Sequence, residues 1–310
     1  MLDLSIVIPT VGRLAPLRAC LRSLLNQHRP TYAYQILVVC NPGSESVRAM
    51  TLEFRAMGLP VQYYFSEGRG ANRARNKGAK IAEGRYLLFL DDDTELPDWD
   101  FLKRIRDRVV GHRTEVALGG FYLSPQGSSL PARVYNCAAN LWMMKASKSP
   151  HRRPVMVGGC TLIDRQIFWG VGGFEESQEG AAEELALSQR IQARGHKVVL
   201  SPQISVHHYF QGGWTRLYGN AFRHGQAKPA NQNQRLDSIS SRQVLSLLRR
   251  GRAIDRRLGE SALARLLIPS LAAYYFVVLT GSTVGKWLGR RSNAQDGYLE
   301  AVGSQSHPDL

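Results

Sequence analysis

The stretch GRYLLFLDDDTELPDWDFL, residues 84–102, decides how this chain is read. Tyr86 to Leu90 form an unbroken apolar run, the pattern of a strand covered on both faces. The run stops on three consecutive carboxylates, Asp91, Asp92 and Asp93. Like charges this close repel, so the strand end needs a reason. Side chains alternate along a strand, which predicts Asp91 and Asp93 on one side and Asp92 on the other. Two converging carboxylates call for a counter-charge. A hard divalent cation supplies one, because Mg²⁺ and Mn²⁺ take oxygen ligands and share them with phosphates. The plainer alternative is an acidic, solvated turn.

Outward from this strand, apolar runs and helical patterns alternate. LSIVIPT (4–10) and QILVVCNPGS (35–44) read as buried strands, the first expected to end at Pro9, which cannot donate to a ladder. Between them, Leu17, Leu21, Leu24 and Leu25 have helical spacing. RGANRARNKGAKIAEG (69–84) reads as a helix that packs through Ala71, Ala74, Ala79 and Ile81 and stops at Gly84. The alternation predicts an α/β fold with a mostly parallel central sheet flanked by helices. Ligands of such sheets gather at the carboxyl ends of the strands, where the aspartates lie. Residues 111–175 are less regular. AAEELALSQRIQARGHKVVLSP (181–202) reads as a helix closed by Gly195 and followed by a strand.

Composition narrows the partners. The chain has 310 residues and a formal charge of +15, from 40 Lys and Arg against 25 Asp and Glu. That excess suits a polyanion: an anionic membrane face, a phosphorylated substrate or nucleic acid. No nucleic-acid module is recognisable, so nucleic acid is not expected. Cys20, Cys40, Cys137 and Cys160 have neither CxxC nor zinc-ligand spacing and read as reduced, buried residues of a cytosolic protein. The opening MLDLSIVIPT has no basic start or cleavable apolar stretch, so it is not expected to be a signal peptide.

Taken together, these segments resemble family 2 inverting glycosyltransferases, nucleotide-diphospho-sugar transferases of the GT-A fold. LSIVIPTVGR resembles the family's first strand. RARNKGAKIAEGRYLLFLDDDTELP resembles its Arg-Asn-x-Gly helix and DXD strand. GGFEE, the AAEELALSQRI helix and the histidines of SVHH resemble its later motifs in order, so the likeness covers residues 2 to about 225. The resemblance implies that Asp91 contacts the donor nucleoside, with Asp92 beside it in the nucleotide-sugar site. It implies that Asp93 binds Mn²⁺ or Mg²⁺ and that His208, six residues past Pro202, is a further ligand, with His207 as the alternative. Pro9, Thr10 and Arg13 would line the nucleotide pocket, and Arg75 would help hold the pyrophosphate. An inverting transfer also needs a base for the acceptor hydroxyl. Glu184 has that position, where a helix N-terminus favours its ionised form, and Glu183 would orient the site or serve as an N-terminal helix charge. The chain departs from the family at three places: Glu184 stands where Asp is usual, Ala186 replaces a second acid, and Cys40 replaces an Asp that reads uracil. Asn41 is left to pair with a pyrimidine edge, which favours a UDP-sugar.

The expected organisation is a glycosyltransferase domain over 1–235, with a nucleotide-binding half to about 110 and an acceptor half over 111–235. A basic and apolar helical extension would follow over 236–291, and a disordered tail over 292–310. The extension combines Arg249, Arg250, Arg252, Arg256, Arg257 and Arg265 with an uncharged stretch, Leu266 to Gly285. It is read as membrane-associated, lying on, dipping into or spanning the bilayer, with a soluble helix as the alternative. The function expected is transfer of a sugar to a saccharide or lipid-linked hydroxyl at the inner face of the cell membrane, in glycolipid or surface-polysaccharide synthesis. An inactive scaffold of the same fold is the alternative, and a basic nucleic-acid-binding protein the rival from another class.

Overall fold

The computed structural model describes residues 3–28, 32–68, 70–111, 115–147, 156, 158–176, 183–226, 269–278 and 280. Two compact units divide the chain, one ending at Gln211 and the other beginning at Gly212.

The first unit alternates as the sequence pattern predicts. β1 (Leu4–Thr10), α1 (Leu14–Leu25), β2 (Tyr34–Cys40), α2 (Glu45–Ala56), β3 (Val61–Phe65), α3 (Ala71–Ile81) and β4 (Tyr86–Leu90) follow one another. The two-residue strand β5 (Thr94–Glu95) and α4 (Phe101–Gly111) come next. The irregular middle resolves into β6 (Glu115–Gly119), β7 (Tyr122–Leu123), α5 (Leu130–Ser147), β8 (Cys160–Asp164) and α6 (Arg165–Gly170). α7 (Glu183–Ala193), β9 (Lys197–Leu200) and β10 (Val206–His208) close the unit. α8 (Trp214–Gln226) belongs to the second unit.

Seven strands form the main sheet in the order β3-β2-β1-β4-β8-β6-β9. Among them only β8 runs against its neighbours, β4 and β6. The sheet is therefore mostly parallel, as expected, with β4 at its centre. Leu87, Leu88, Phe89 and Leu90 are fully buried, which explains the unbroken apolar run. Each such side chain contributes on the order of 2 kcal/mol relative to exposure. A small second sheet, β5-β10-β7, lies just beyond the end of β4 and sets β10 beside the aspartates.

Two local expectations are corrected. β1 continues past Pro9 to Thr10, in register with β2. Its ladder with β4 ends at Val7, so the donor that Pro9 lacks faces no strand on that side. Gly84 does not stop α3, which ends at Ile81 with Ala82 already extended. Gly84 instead lies against the backbone of Leu4 and Ser5, where a Cβ would clash at 2.5 Å. Gly195, at φ +82°, does end its helix by taking the left-handed conformation.

No disulfide links the four cysteines, all of which are buried. The basic segment and the polar tail fall outside the described residues, apart from a helical run over 269–278 and residue 280. Among the described residues no helix is long and apolar enough to cross a membrane.

Candidate active site

The Arg-Asn-x-Gly helix joins the sheet to the site, each residue for its own reason. Gly78 lets α3 lie directly on β1 and β2, because a Cβ there would run into Val7 and Val39. Asn76 brackets the backbone of Phe174, accepting from its N–H at 3.0 Å and donating to its carbonyl at 2.8 Å. That pins the Gly-Gly-Phe turn, in which Gly173 needs φ +65°. Arg75 points the other way and is 5 % exposed. Its Nη2 donates to Asp91 Oδ1 at 2.8 Å, its Nη1 to Asn72 at 3.2 Å, and Glu183 lies 3.7 Å away. Phe174 backs the guanidinium at 5.4 Å. Burial works against this cation, but the charges of Asp91, Glu184 and Glu183 outweigh it and hold it protonated.

The three aspartates do not keep strand alternation, because β4 ends at Leu90 and a turn begins. Asp91 turns towards Arg75 and accepts from the Tyr122 hydroxyl at 3.3 Å. Asp92 is buried; it accepts from Thr10 Oγ1 at 2.6 Å and pairs with Arg13. Burial pushes its pKa up to about 6, opposed by Arg13 and the Thr10 hydrogen bond. Asp93 also takes Arg13, at 2.7 Å, and faces His208 Nε2 at 3.6 Å. The repulsion among the carboxylates is thus relieved by two arginines, Arg75 on one side and Arg13 on the other.

β10 brings the histidine in. His208 lies opposite Thr94 of β5, and the Tyr209 N–H donates to the Asp93 carbonyl at 2.9 Å. His208 is the histidine beside Asp93; His207 lies in register with Glu95 instead. The His208 ring stacks on Tyr122 at 4.3 Å, and its Nδ1 is 2.6 Å from Asn136 Oδ1. Burial lowers the His208 pKa, favouring the neutral ring that a metal ligand must be. Among the described residues no three His, Cys, Asp or Glu side chains form a ready-made cation cage. Asp93 and His208 nevertheless fit as half a site, a carboxylate oxygen and an imidazole nitrogen facing each other beyond hydrogen-bond range.

Glu184, the second residue of α7, accepts from the Gly158 N–H at 3.1 Å. Gly158 and Gly159 make room for the cluster. A Cβ on Gly158 would meet Glu184 Oε1 at 2.6 Å, and one on Gly159 would collide with Asp91 and the Tyr122 hydroxyl. Burial raises the Glu184 pKa, with Arg75 opposing and the Asp91 charge adding to the rise. The helix end was expected to favour the ionised form, but burial wins. Ala186 is half-buried on the same helix.

Asn41 follows β2, and its N–H donates to the Thr10 carbonyl at 2.8 Å. Its side-chain Nδ2 donates to the Gly70 carbonyl at 3.3 Å, while Oδ1, buried, has no hydrogen-bond partner among the described residues. Pro9 is buried within β1 beside it.

The sequence signature described as Glycosyl transferase family 2 matches residues 5–172, more than half of the chain. The chain belongs to glycosyl transferase family 2. Its fold is GT-A-like. The family 2 chain is 26 % identical over 220 residues to the O-antigen biosynthesis protein RfbC of Myxococcus xanthus, covering 66 % of this chain and 17 % of that one. It is 24 % identical over 171 residues to the glycosyltransferase AglE of Haloferax volcanii, covering 55 % of each. The chain thus spans less than two thirds of either relative. Among solved structures, it superposes on the mannosyltransferase PcManGT of Pyrobaculum calidifontis, in complex with GDP-Man and Mn²⁺, with a TM-score of 0.57 at 16 % identity. That superposition covers 97 % of this chain and 79 % of the other. S. aureus TarS with UDP-GlcNAc gives a TM-score of 0.53 at 14 % identity, covering 92 % of each chain.

In this family 2 chain the structure brings Thr10, Arg13, Asp92 and Asp93 into one network, and Arg75, Asp91, Glu183 and Glu184 into another. Sequence reasoning missed Tyr122, Asn136, Gly158 and Gly159. All four lie in the irregular middle, where no periodic pattern points to them. The adjacent glycines before β8 were the one available signal, since paired glycines mark close backbone approach.

Proposed function

We propose that this chain is a metal-dependent inverting glycosyltransferase that moves a sugar from a nucleotide-diphospho-sugar to a hydroxyl acceptor. The observation that carries the proposal is the pairing, at the carboxyl end of β4, of the facing Asp93 and His208 with the half-buried Glu184 across Asp91. Asp93 and His208 would hold Mn²⁺ or Mg²⁺, and the ion when bound neutralises charge on the departing nucleoside diphosphate. Arg13, half-buried and clamped by Asp92 and Asp93, adds a fixed positive charge on the same side. Glu184 takes the proton of the acceptor hydroxyl as that oxygen displaces the diphosphate from the anomeric carbon, inverting it. Arg75 holds Asp91 in place beside Glu184. The Asn41 Oδ1 acceptor suits an imide N–H of a base, which favours a UDP-sugar. The superposed mannosyltransferase, in complex with GDP-Man and Mn²⁺, and TarS, in complex with UDP-GlcNAc, support a nucleotide-sugar donor and a divalent ion.

A thermal-shift screen of nucleotide sugars with and without Mn²⁺ tests this reading. One donor together with Mn²⁺ is expected to raise Tm above the sum of the separate effects, because a ligand that binds only the native state stabilises it by mass action. If no nucleotide sugar moves Tm under either condition, and none is hydrolysed, the donor assignment fails.

The acceptor is proposed to be a saccharide or lipid-linked saccharide at the inner membrane face, in glycolipid or surface-polysaccharide synthesis. The arginines upstream of Leu266 and the uncharged residues after it support attachment to an anionic bilayer. Each arginine close to the lipid would add about 1 kcal/mol. Removing residues 242–310 is expected to move the protein from the membrane pellet to the supernatant on fractionation. A shortened protein that still pellets rules out the segment as the anchor.

A further inference from the structure

We propose that Asn136 is a positioning residue that locks His208 in the tautomer with hydrogen on Nδ1, so that the lone pair on Nε2 faces Asp93. The inference rests on the metal reading above for its purpose, but its geometry stands alone.

Asn136 lies on α5 and is 1 % exposed. Its Nδ2 donates to the His208 carbonyl at 3.0 Å and to Ser124 Oγ at 3.1 Å. A carbonyl can only accept, so the nitrogen of the amide must be on that side. The oxygen is thereby aimed at His208 Nδ1, 2.6 Å away. An amide oxygen carries no hydrogen, so Nδ1 must supply it. The neutral ring then has its lone pair on Nε2, and Nε2 faces the Asp93 carboxylate at 3.6 Å. Two acceptors meet across that gap with no proton between them, an arrangement that a cation satisfies and an empty contact does not.

The ring's plane is fixed as well. Tyr122 stacks on it at 4.3 Å and Tyr135 at 5.4 Å, and Tyr135 in turn stacks on Phe210 at 4.6 Å. Ring plane, tautomer and backbone are all held by residues of β7, α5 and the segment after β10. A ligand held this way binds without a rotamer or tautomer cost, and loss of such an outer partner typically weakens metal affinity by about 10–100-fold.

The test has two arms on the full chain. In the metal-free protein, ¹⁵N NMR of the histidine rings is expected to show His208 protonated at Nδ1. Asn136→Asp keeps an acceptor for Nδ1 and should keep that signature, whereas Asn136→Ala should lose it. In the second arm Mn²⁺ binding is followed by electron paramagnetic resonance in the presence of UDP. Asn136→Ala is expected to raise the Mn²⁺ Kd about 10–100-fold, and Asn136→Asp to stay closer to wild type. If Asn136→Ala does not fold, the wild-type tautomer and the Asp variant decide the matter. A wild-type His208 protonated at Nε2, an Asp variant that loses the Nδ1 signature, or a folded Ala variant with unchanged tautomer and Mn²⁺ affinity, overturns the role of Asn136. A wild-type protein that binds no Mn²⁺ but shows the Nδ1 tautomer overturns the metal reading and leaves the tautomer lock standing.

Discussion

Asp93→Ala is expected to abolish Mn²⁺-dependent donor turnover while the protein remains folded. Asp93 is the carboxylate that faces His208, and its loss removes the oxygen from the half-site. Arg13 keeps its pairing with Asp92, so the clamp on Thr10 and the end of β4 survives the change. A Lewis acid at the departing diphosphate is worth several kcal/mol of transition-state stabilisation. At about 1.4 kcal/mol per factor of ten, the loss in kcat/KM should be on the order of 10³-fold. The measurement is donor hydrolysis and transfer against Mn²⁺ concentration, with Tm as the control for folding. Turnover within tenfold of wild type, at unchanged Mn²⁺ dependence, would remove Asp93 from the metal site.

Glu184→Gln is expected to leave donor binding intact and lower kcat by about 10²–10⁴-fold, the usual contribution of a general base. Glutamine keeps the size and still accepts from the Gly158 N–H, so the loss isolates the proton-accepting role. The pH profile gives a second reading. The ionised carboxylate is the active form, so wild-type activity should rise with pH and be lost as pH falls through the pKa of Glu184. Burial raises that pKa above the ordinary 4.5, so the acid limb should lie above 4.5. In Glu184→Gln the limb should disappear. A variant that turns over like wild type, with the limb in place, would assign the base elsewhere. The neighbouring Glu183, already 3.7 Å from Arg75, would then be the next candidate.

How much of this was legible in the sequence depends on the range of the interactions. The buried strands were, because an unbroken run such as Tyr86 to Leu90 has few alternatives at the centre of a sheet. The helix α3 was legible from its alanine spacing, and its Arg-Asn-x-Gly residues from resemblance to the family. What each of those residues touches was not. Arg75 reads equally well as a phosphate ligand and as the buried partner of Asp91, and only packing against Phe174 and Asn72 shows the second contact. α5 was missed because it is apolar on much of its surface, leaving no clear period to follow.

Resemblance to the family supplied the candidate histidine and glutamate. The sequence by itself determined the α/β class and the position of the acidic cluster at a strand end. These follow from local patterns, since the period of a strand and the residue types of a motif are written in consecutive positions. Only the tertiary structure decided which aspartate meets which arginine, that His208 rather than His207 faces Asp93, and that Asn136 holds the ring. Most of those contacts join distant positions, 79 apart for Arg13 and Asp92 and 72 for Asn136 and His208, although Arg75 and Asp91 are only 16 apart. Their geometry is set by how β4, β10 and α5 pack, and no local stretch of the chain encodes that packing.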